Sequence, residues 1–271
     1  MLDSLRGALS LYGRYIAISM RGQLQYRASF VMLALGQLVG AGVEFIGIWA
    51  LFDRFGALGP WSLPQVAFLY GLADIGFALA SAFSRGFDTF GAMVKSGDFD
   101  RLLLRPRSTV LQLLGQELHL MRVGRLAQGL AILVWASHAA GVDWSAATVG
   151  LLLTALAGGV CLYTGIIVLQ ATSTFWTVET LEVWSSFTFG GNYASQYPLT
   201  IYRPWFRRAL LTALPLGCVV YLPGVAILGA TEPLGTPVAL QWAAPLAGVA
   251  FLLVSLQIWK LGVRRYTSTG S

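Results

Sequence analysis

Residues 28–52 form a run of 25 with a single charged side chain, Glu44. A helix of that length reaches roughly 37 Å, enough to cross a hydrocarbon core of about 30 Å. Similar runs follow at 65–83, near 126–141, near 148–169 and at about 241–263. Only 11% of the residues are charged and 56% are hydrophobic, whereas a soluble domain carries about 25% charged residues. Much of this chain therefore has lipid as its solvent. Runs of this length satisfy their backbone inside hydrocarbon as helices. The sequence predicts an all-α, polytopic membrane protein of one domain, with no visible internal repeat.

The net charge of +6 does not point to a nucleic-acid partner, because the 18 cations, 16 of them arginine, sit between apolar runs and not on one face. Arg6, Arg14, Arg21 and Arg27 flank the first run, and Lys260, Arg264 and Arg265 close the last. Arg85, Lys95, Arg101, Arg105, Arg107, Arg122 and Arg125 lie between the second and third. The segment 53–64 holds only Arg54, and 142–147 holds no cation. Cations collect on the cytoplasmic side, so an even number of crossings puts both termini and the long middle segment in the cytoplasm. Trp49, Trp61, Trp135, Trp144, Trp242 and Trp259 fall near run ends, as an interfacial aromatic belt would place them.

Ahead of the first run, Leu2, Leu5, Leu9, Tyr12, Ile16 and Met20 recur at helical spacing, with Arg6, Arg14 and Arg21 on another face. This is the pattern of an amphipathic helix on the membrane surface, or of a helix packed against the bundle. Asp3 and four arginines before the first long run argue against a cleaved signal peptide. Cys161 and Cys218 lie in apolar stretches with no Cys or His spacing that suggests a disulfide or metal site. No metal is expected.

The segment 172–230 permits two readings, each giving six crossings. In one, 210–230 is the fifth span. In the other, 175–194 crosses outward and 197–229 dips back into the outer leaflet as a broken helical hairpin. Pro215 and Pro223 divide the apolar run into pieces too short to span, which favours the hairpin.

Between the second and third runs the chain reads SGDFDRLLLRPRS, from Ser96 to Ser108. Gly97-Asp98 breaks one helix and Pro106 stops the next, leaving a short charged helix at 98–105. On spacing alone, this segment is either a rigid element for a cytosolic partner or a solvated loop. The same run resembles the G-x-[FL]-D-x-L-L-x-[RK]-P segment of ABC-2-type permeases, in the branch long filed as a family of unknown function. A later, looser run, YPLTIYRPWFRRALLTALPLGCVVYLPGVAILG, resembles that branch's Tyr-Pro, Pro-Trp, Leu-Pro and Tyr-x-Pro pattern. The likeness in length, charge layout and span order extends over nearly the whole chain.

The resemblance implies a six-span half-transporter of the inner (plasma) membrane, multi-pass, with a cytoplasmic interfacial helix at 1–27. Spans one and two would occupy 28–83, spans three and four 123–171, the fifth 172–195 and the sixth 240–263. It makes Gly97, Asp98, Phe99, Asp100, Arg101, Arg105 and Pro106, within the cytoplasmic loop 84–122, the coupling helix to an ATPase. It also makes 196–230 a re-entrant hairpin bearing Tyr197, Pro198, Pro204, Trp205, Pro215, Tyr221 and Pro223. Two copies of a separate ABC ATPase, holding ATP and Mg, and a second permease, related or identical, would complete the complex. This chain would bind no cofactor itself.

A phosphate-cradling G-x-x-x-x-G-K-[ST] loop is missing from the sequence, since Val94 stands where the glycine must precede Lys95-Ser96. His119 and His138 are isolated, so catalysis in this chain is not expected. The informative polar groups are acids within apolar runs: Glu44, Asp74, and the pair Glu179 and Glu182. A charged group of this kind costs about 2.5–3.5 kcal/mol at a span centre, so it faces the bundle interior, a partner or water. These acids, with Trp184 in an aromatic-rich stretch, either line a path for an amphipathic or cationic substrate or serve structural pairing. An example of such pairing would be Glu179 or Glu182 with Arg125. The leading expectation is an exporter permease driven by ATP hydrolysis elsewhere. The alternatives are an ion-driven carrier using Glu44 and Asp74, and a membrane scaffold that moves nothing.

Overall fold

The computed structural model describes residues 2–177 and 181–267, with side chains described from residue 12 onward except at 181–183 and 185. Helix α1 (Leu2–Gln25) is separated from α2 (Arg27–Phe55) by Tyr26 alone. The inner face of α1 is anchored by polar contacts. The Leu118 amide donates to Ser19 Oγ at 3.0 Å, and Gln23 reaches the Leu118 carbonyl and the Leu120 amide. Arg14 and Arg21 remain exposed, as the amphipathic spacing requires.

Helix α3 (Leu63–Phe83) begins in a capping box between Ser62 and Gln65 and is buried along almost its whole length. It is the axis of the bundle. Around it stand α8 (Val123–Ala139) and α9 (Ala146–Ser173), with α2 leaning on α8. The helix α15 (Leu246–Arg265) lies along α9. Between α3 and α8 the chain forms four short helices at one end of the bundle: α4 (Arg85–Asp88), α5 (Phe90–Lys95), α6 (Asp98–Leu103) and α7 (Thr109–Leu114).

Backbones approach closely where side chains are smallest, the usual way apolar helices pack when hydrophobic burial cannot drive association. A Cβ at Gly248 of α15 would strike the Gly158 carbonyl of α9, and one at Gly124 of α8 would strike the Ala34 carbonyl of α2.

Among the described residues four helices are long and apolar enough to cross a membrane: α2, α3, α9 and α15. Helix α8 has 17 residues and continues a 3₁₀ turn at Leu120–Arg122. Helix α10 (Leu181–Ser195) has 15. The predicted last run 241–263 is in fact two helices, α14 (Val238–Ala243) and α15, divided at Pro245. Pro245 has no amide to continue the ladder.

The segment after α10 is broken as its prolines require. Helix α11 (Pro204–Thr212) is bent by 68° from the pair α12 (Leu216–Val219) and α13 (Tyr221–Leu228). Trp61 joins the entry to this segment and the first residue of α13. The Trp61 Nε1 donates to Thr200 Oγ1 at 3.0 Å, and its ring lies edge-on to Tyr221 at 5.9 Å. Tyr221 in turn donates to Glu232 beyond α13. Trp61 is therefore buried, as is Trp259, and neither belongs to an exposed belt. Trp49, Trp135, Trp144 and Trp242 are exposed. No strand is present among the described residues.

Candidate functional site

The close contact at Gly124 presses the start of α8 against α2 and turns the next residue, Arg125, into the bundle. Arg125 Nε donates to Asp74 Oδ1 of α3 at 2.6 Å, and one terminal nitrogen donates to Glu44 Oε2 of α2 at 2.7 Å. Tyr193 of α10 donates to the other oxygen of Glu44 at 3.0 Å. The guanidinium also lies 5.2 Å from the centre of the Phe77 ring. One arginine thus links four helices. The arrangement answers the cost of two acids at membrane depth, because each carboxylate has a cation and the cation has both.

Sequence reasoning placed Arg125 among the loop cations, although it lies two residues inside a helix. Glu44 and Asp74 are brought together around it. Glu179 lies outside the described residues, and so does the side chain of Glu182. Trp184 stands elsewhere, in an apolar groove of about 540 Å³ between α10 and α11 that Trp205 and Leu210 also line.

Arg122, one turn before Arg125, is held differently. It donates to Gln37 of α2 at 3.0 Å and lies 5.8 Å from the Phe77 ring centre, while its Nε is buried without a hydrogen-bond partner. Among the described residues no carboxylate comes within 4.0 Å of it. Asp88, which lines one cavity with Arg122, is 4.0 Å from Arg85. Burial pushes its carboxyl above the ordinary range, against the pull of Arg85 and Arg122.

The end of the bundle bearing the short helices carries a second constellation. Gly97, at φ +75°, makes the left-handed turn that opens α6, and Ser96 Oγ donates to Asp98 Oδ2 at 2.7 Å. Helix α6 stops at Leu103, two residues before the predicted end at 105. Gln112 there donates to the carbonyls of Leu102 and Arg107 and secures the turn before Pro106. Phe99 is the root of the helix, with 0% exposure. Its ring meets Phe90 at 4.9 Å, Tyr266 at 5.0 Å and Phe175 at 5.8 Å. Trp259 of α15 completes the cluster at 4.9 Å from Phe90 and donates to Thr109 at 3.0 Å. The outer face of α6 presents Asp98 and Arg101, and the turn that follows it presents Leu104, Arg105 and Pro106, with Leu104 85% exposed. From sequence Trp259 reads as interfacial and Phe175 as part of the aromatic-rich stretch that could line a path, while Tyr266 carries no signal. Aromatic residues at a span end read as interfacial until the fold shows what they cover.

The proline-rich segment has its residues at element boundaries. Pro198 precedes a 3₁₀ turn at Leu199–Ile201, Pro204 is the first residue of α11, and Pro215 caps α12. Pro223 lies in the first turn of α13, where a missing amide costs nothing. Tyr197 is half-buried, Tyr221 buried and Trp205 exposed.

A family model described as an ABC-2 family transporter protein matches residues 38–270, from within α2 to the end of the described chain and beyond. No curated protein and no solved structure matches the chain.

Proposed function

The chain belongs to the ABC-2 family of transporter proteins, and from that premise we propose that it is the permease subunit of an ABC exporter, driven by ATP hydrolysis on a separate ATPase. The observation that carries this reading is α6. A short helix with a wholly buried aromatic root and a charged, leucine-tipped outer face has the form of a rigid pad. A push on it is delivered through Phe99 to Trp259 of α15 and Phe175 after α9. A solvated connecting loop needs no such root.

In this reading six helices cross: α2, α3, α8, α9, α10 and the broken pair α14–α15. Helices α1 and α4–α7 face the cytoplasm with both termini. The 68° bend between α11 and the α12–α13 pair supports a re-entrant hairpin, because each piece is too short to cross alone. Arg203, Arg207 and Arg208 would lie outside, against the positive-inside tendency. A second permease chain, related or identical, would cover the face formed by α2 and α10. There Glu44 and Tyr193 remain partly exposed at membrane depth, where lipid is a poor neighbour for them. An amphipathic or hydrophobic substrate would cross between the two chains. The ion-driven alternative is weakened because both acids it would use are engaged by Arg125.

The test is a mild-detergent pull-down of the tagged chain from its native membrane, with mass spectrometry of what is retained. Recovery of a P-loop ATPase in wild type supports the proposal. Recovery of the chain with no nucleotide-binding protein sinks it.

A further inference from the structure

We propose that Arg122 is the anchor of a binding site for an anionic head group, phosphate or carboxylate, on an amphipathic molecule that enters from the inner leaflet between α2 and α10. The inference rests on the permease reading for its biological meaning, as a statement of substrate class, but not for its chemistry.

Three cations and four acids converge along this part of the bundle, and the pairing among them is uneven. Arg125 takes both Asp74 and Glu44, and Arg85 stands 4.0 Å from Asp88 and from Glu117. That leaves Arg122 without a counterion within 4.0 Å among the described residues. Its guanidinium is nevertheless fixed, by the bond to Gln37 and by the Phe77 ring, which Arg125 shares. A positioned planar fork with free donors is suited to two-point recognition of a carboxylate or phosphate.

Space is present where the ligand would sit. A cavity of about 360 Å³ is bounded by Gly36, Gly40 and Glu44 of α2, by Arg122 and by Phe189 of α10. A second cavity, of about 210 Å³, lies on the other side of Arg122 and Phe189 and holds Arg85, Asp88, Gln170 and Thr188. Arg122 and Phe189 line both, so the arginine reaches either chamber. On α2 nothing lies within 4 Å of where a Cβ at Gly36 or Gly40 would be. The floor is thus open, and the outer face of α2, with Met32, Val39 and Val43 exposed, offers an apolar track for a tail. Glu182 stands seven residues before Phe189 in the sequence, so its removal is included in the test.

The experiment is a tryptophan-fluorescence titration of the purified full chain in detergent with dioleoylphosphatidic acid, dioleoylglycerol and inorganic phosphate in turn. Wild type is expected to bind phosphatidic acid saturably. Arg122→Gln should weaken that binding by roughly tenfold or more, the scale of a hydrogen bond to a charged group, with Arg122→Lys in between. Gly36→Leu, whose Cβ meets nothing within 4 Å, projects into the cavity and should abolish binding in a chain that still unfolds at the wild-type temperature. Glu182→Gln should leave binding intact or strengthen it. Inorganic phosphate competing with the same Arg122 dependence would assign the site to the free anion's chemistry, whereas phosphate without effect would assign it to the lipid-borne head. Binding of dioleoylglycerol as tight as that of phosphatidic acid, or equal binding by wild type and Arg122→Gln, overturns the proposal. The titration needs no ATPase, so its failure and a failed pull-down remain separate results.

Discussion

Arg125 and Asp74 meet at 2.6 Å in the middle of the bundle, Asp74 with 0% exposure and the guanidinium held against the Phe77 ring. The pair is the hub through which α2, α3, α8 and α10 share one electrostatic contact. The contact sets the register of α8 against α2 and α3, since one cation answers an acid on each.

Removing the cation alone strands two carboxylates. Arg125→Met is expected to destabilise the chain by about 3–5 kcal/mol, the cost of leaving buried charge uncompensated. Asp74→Asn, which leaves Arg125 paired with Glu44, should lose clearly less. The triple change Arg125→Met, Asp74→Leu, Glu44→Gln should recover most of the loss. Thermal unfolding in detergent reads all three, and equal losses for Arg125→Met and Asp74→Asn would refute the shared-cation account.

Helix approach at Gly248 and Gly158 leaves no room for a methyl group. Gly248→Ala should cost about 1–3 kcal/mol by overpacking and lower the yield of folded chain. Gly36→Ala, facing open space, should leave unfolding unchanged. The same unfolding assay checks both, and a neutral Gly248→Ala would mean that α9 and α15 are not in contact there.

The apolar runs made the helical class and the core helices legible, since lipid imposes length and composition directly. Gly97 and Pro106 likewise announced α6, because each acts on the local backbone alone. The partners of Arg125, Glu44 and Asp74, were hidden for the opposite reason. The arginine's burial depends on α2 and α3, far away in sequence, and a cation two residues inside an apolar run is indistinguishable from one that stops it. Trp61 and Trp259 were misread as interfacial for the same reason, their partners being Thr200 and Thr109. Pro245 was absorbed into an apolar run that hydropathy sees as continuous, although its ring divides α14 from α15.

The bent segment gives a topological prediction. In a chain with Cys161 and Cys218 replaced by serine, Arg208→Cys and Trp205→Cys should react with a membrane-impermeant maleimide from outside intact cells. Arg265→Cys should react only after permeabilisation. Labelling at 203 and 230 from the same side supports re-entry, and labelling from opposite sides would make α11–α13 a bent crossing.

The final prediction separates docking from transmission at α6. Leu104 is 85% exposed and Phe99 is 0% exposed, so only the first can touch a partner. Leu104→Asp should reduce ATPase recovered with the tagged chain while leaving the unfolding temperature unchanged. Phe99→Ala opens a cavity beneath the helix, costing about 3–5 kcal/mol at most, and loosens the contact with Tyr266, Phe175 and Trp259. The milder Phe99→Leu keeps most of the volume and should retain the ATPase. In the Phe99→Leu complex, hydrolysis should proceed at the rate of the isolated ATPase, no longer altered by the permease, because a push on α6 is then absorbed locally. Substitution of Asp100 or Arg101 should likewise leave the chain folded but uncoupled. Normal coupling in Phe99→Leu together with normal retention in Leu104→Asp would remove α6 from the path between hydrolysis and the spans.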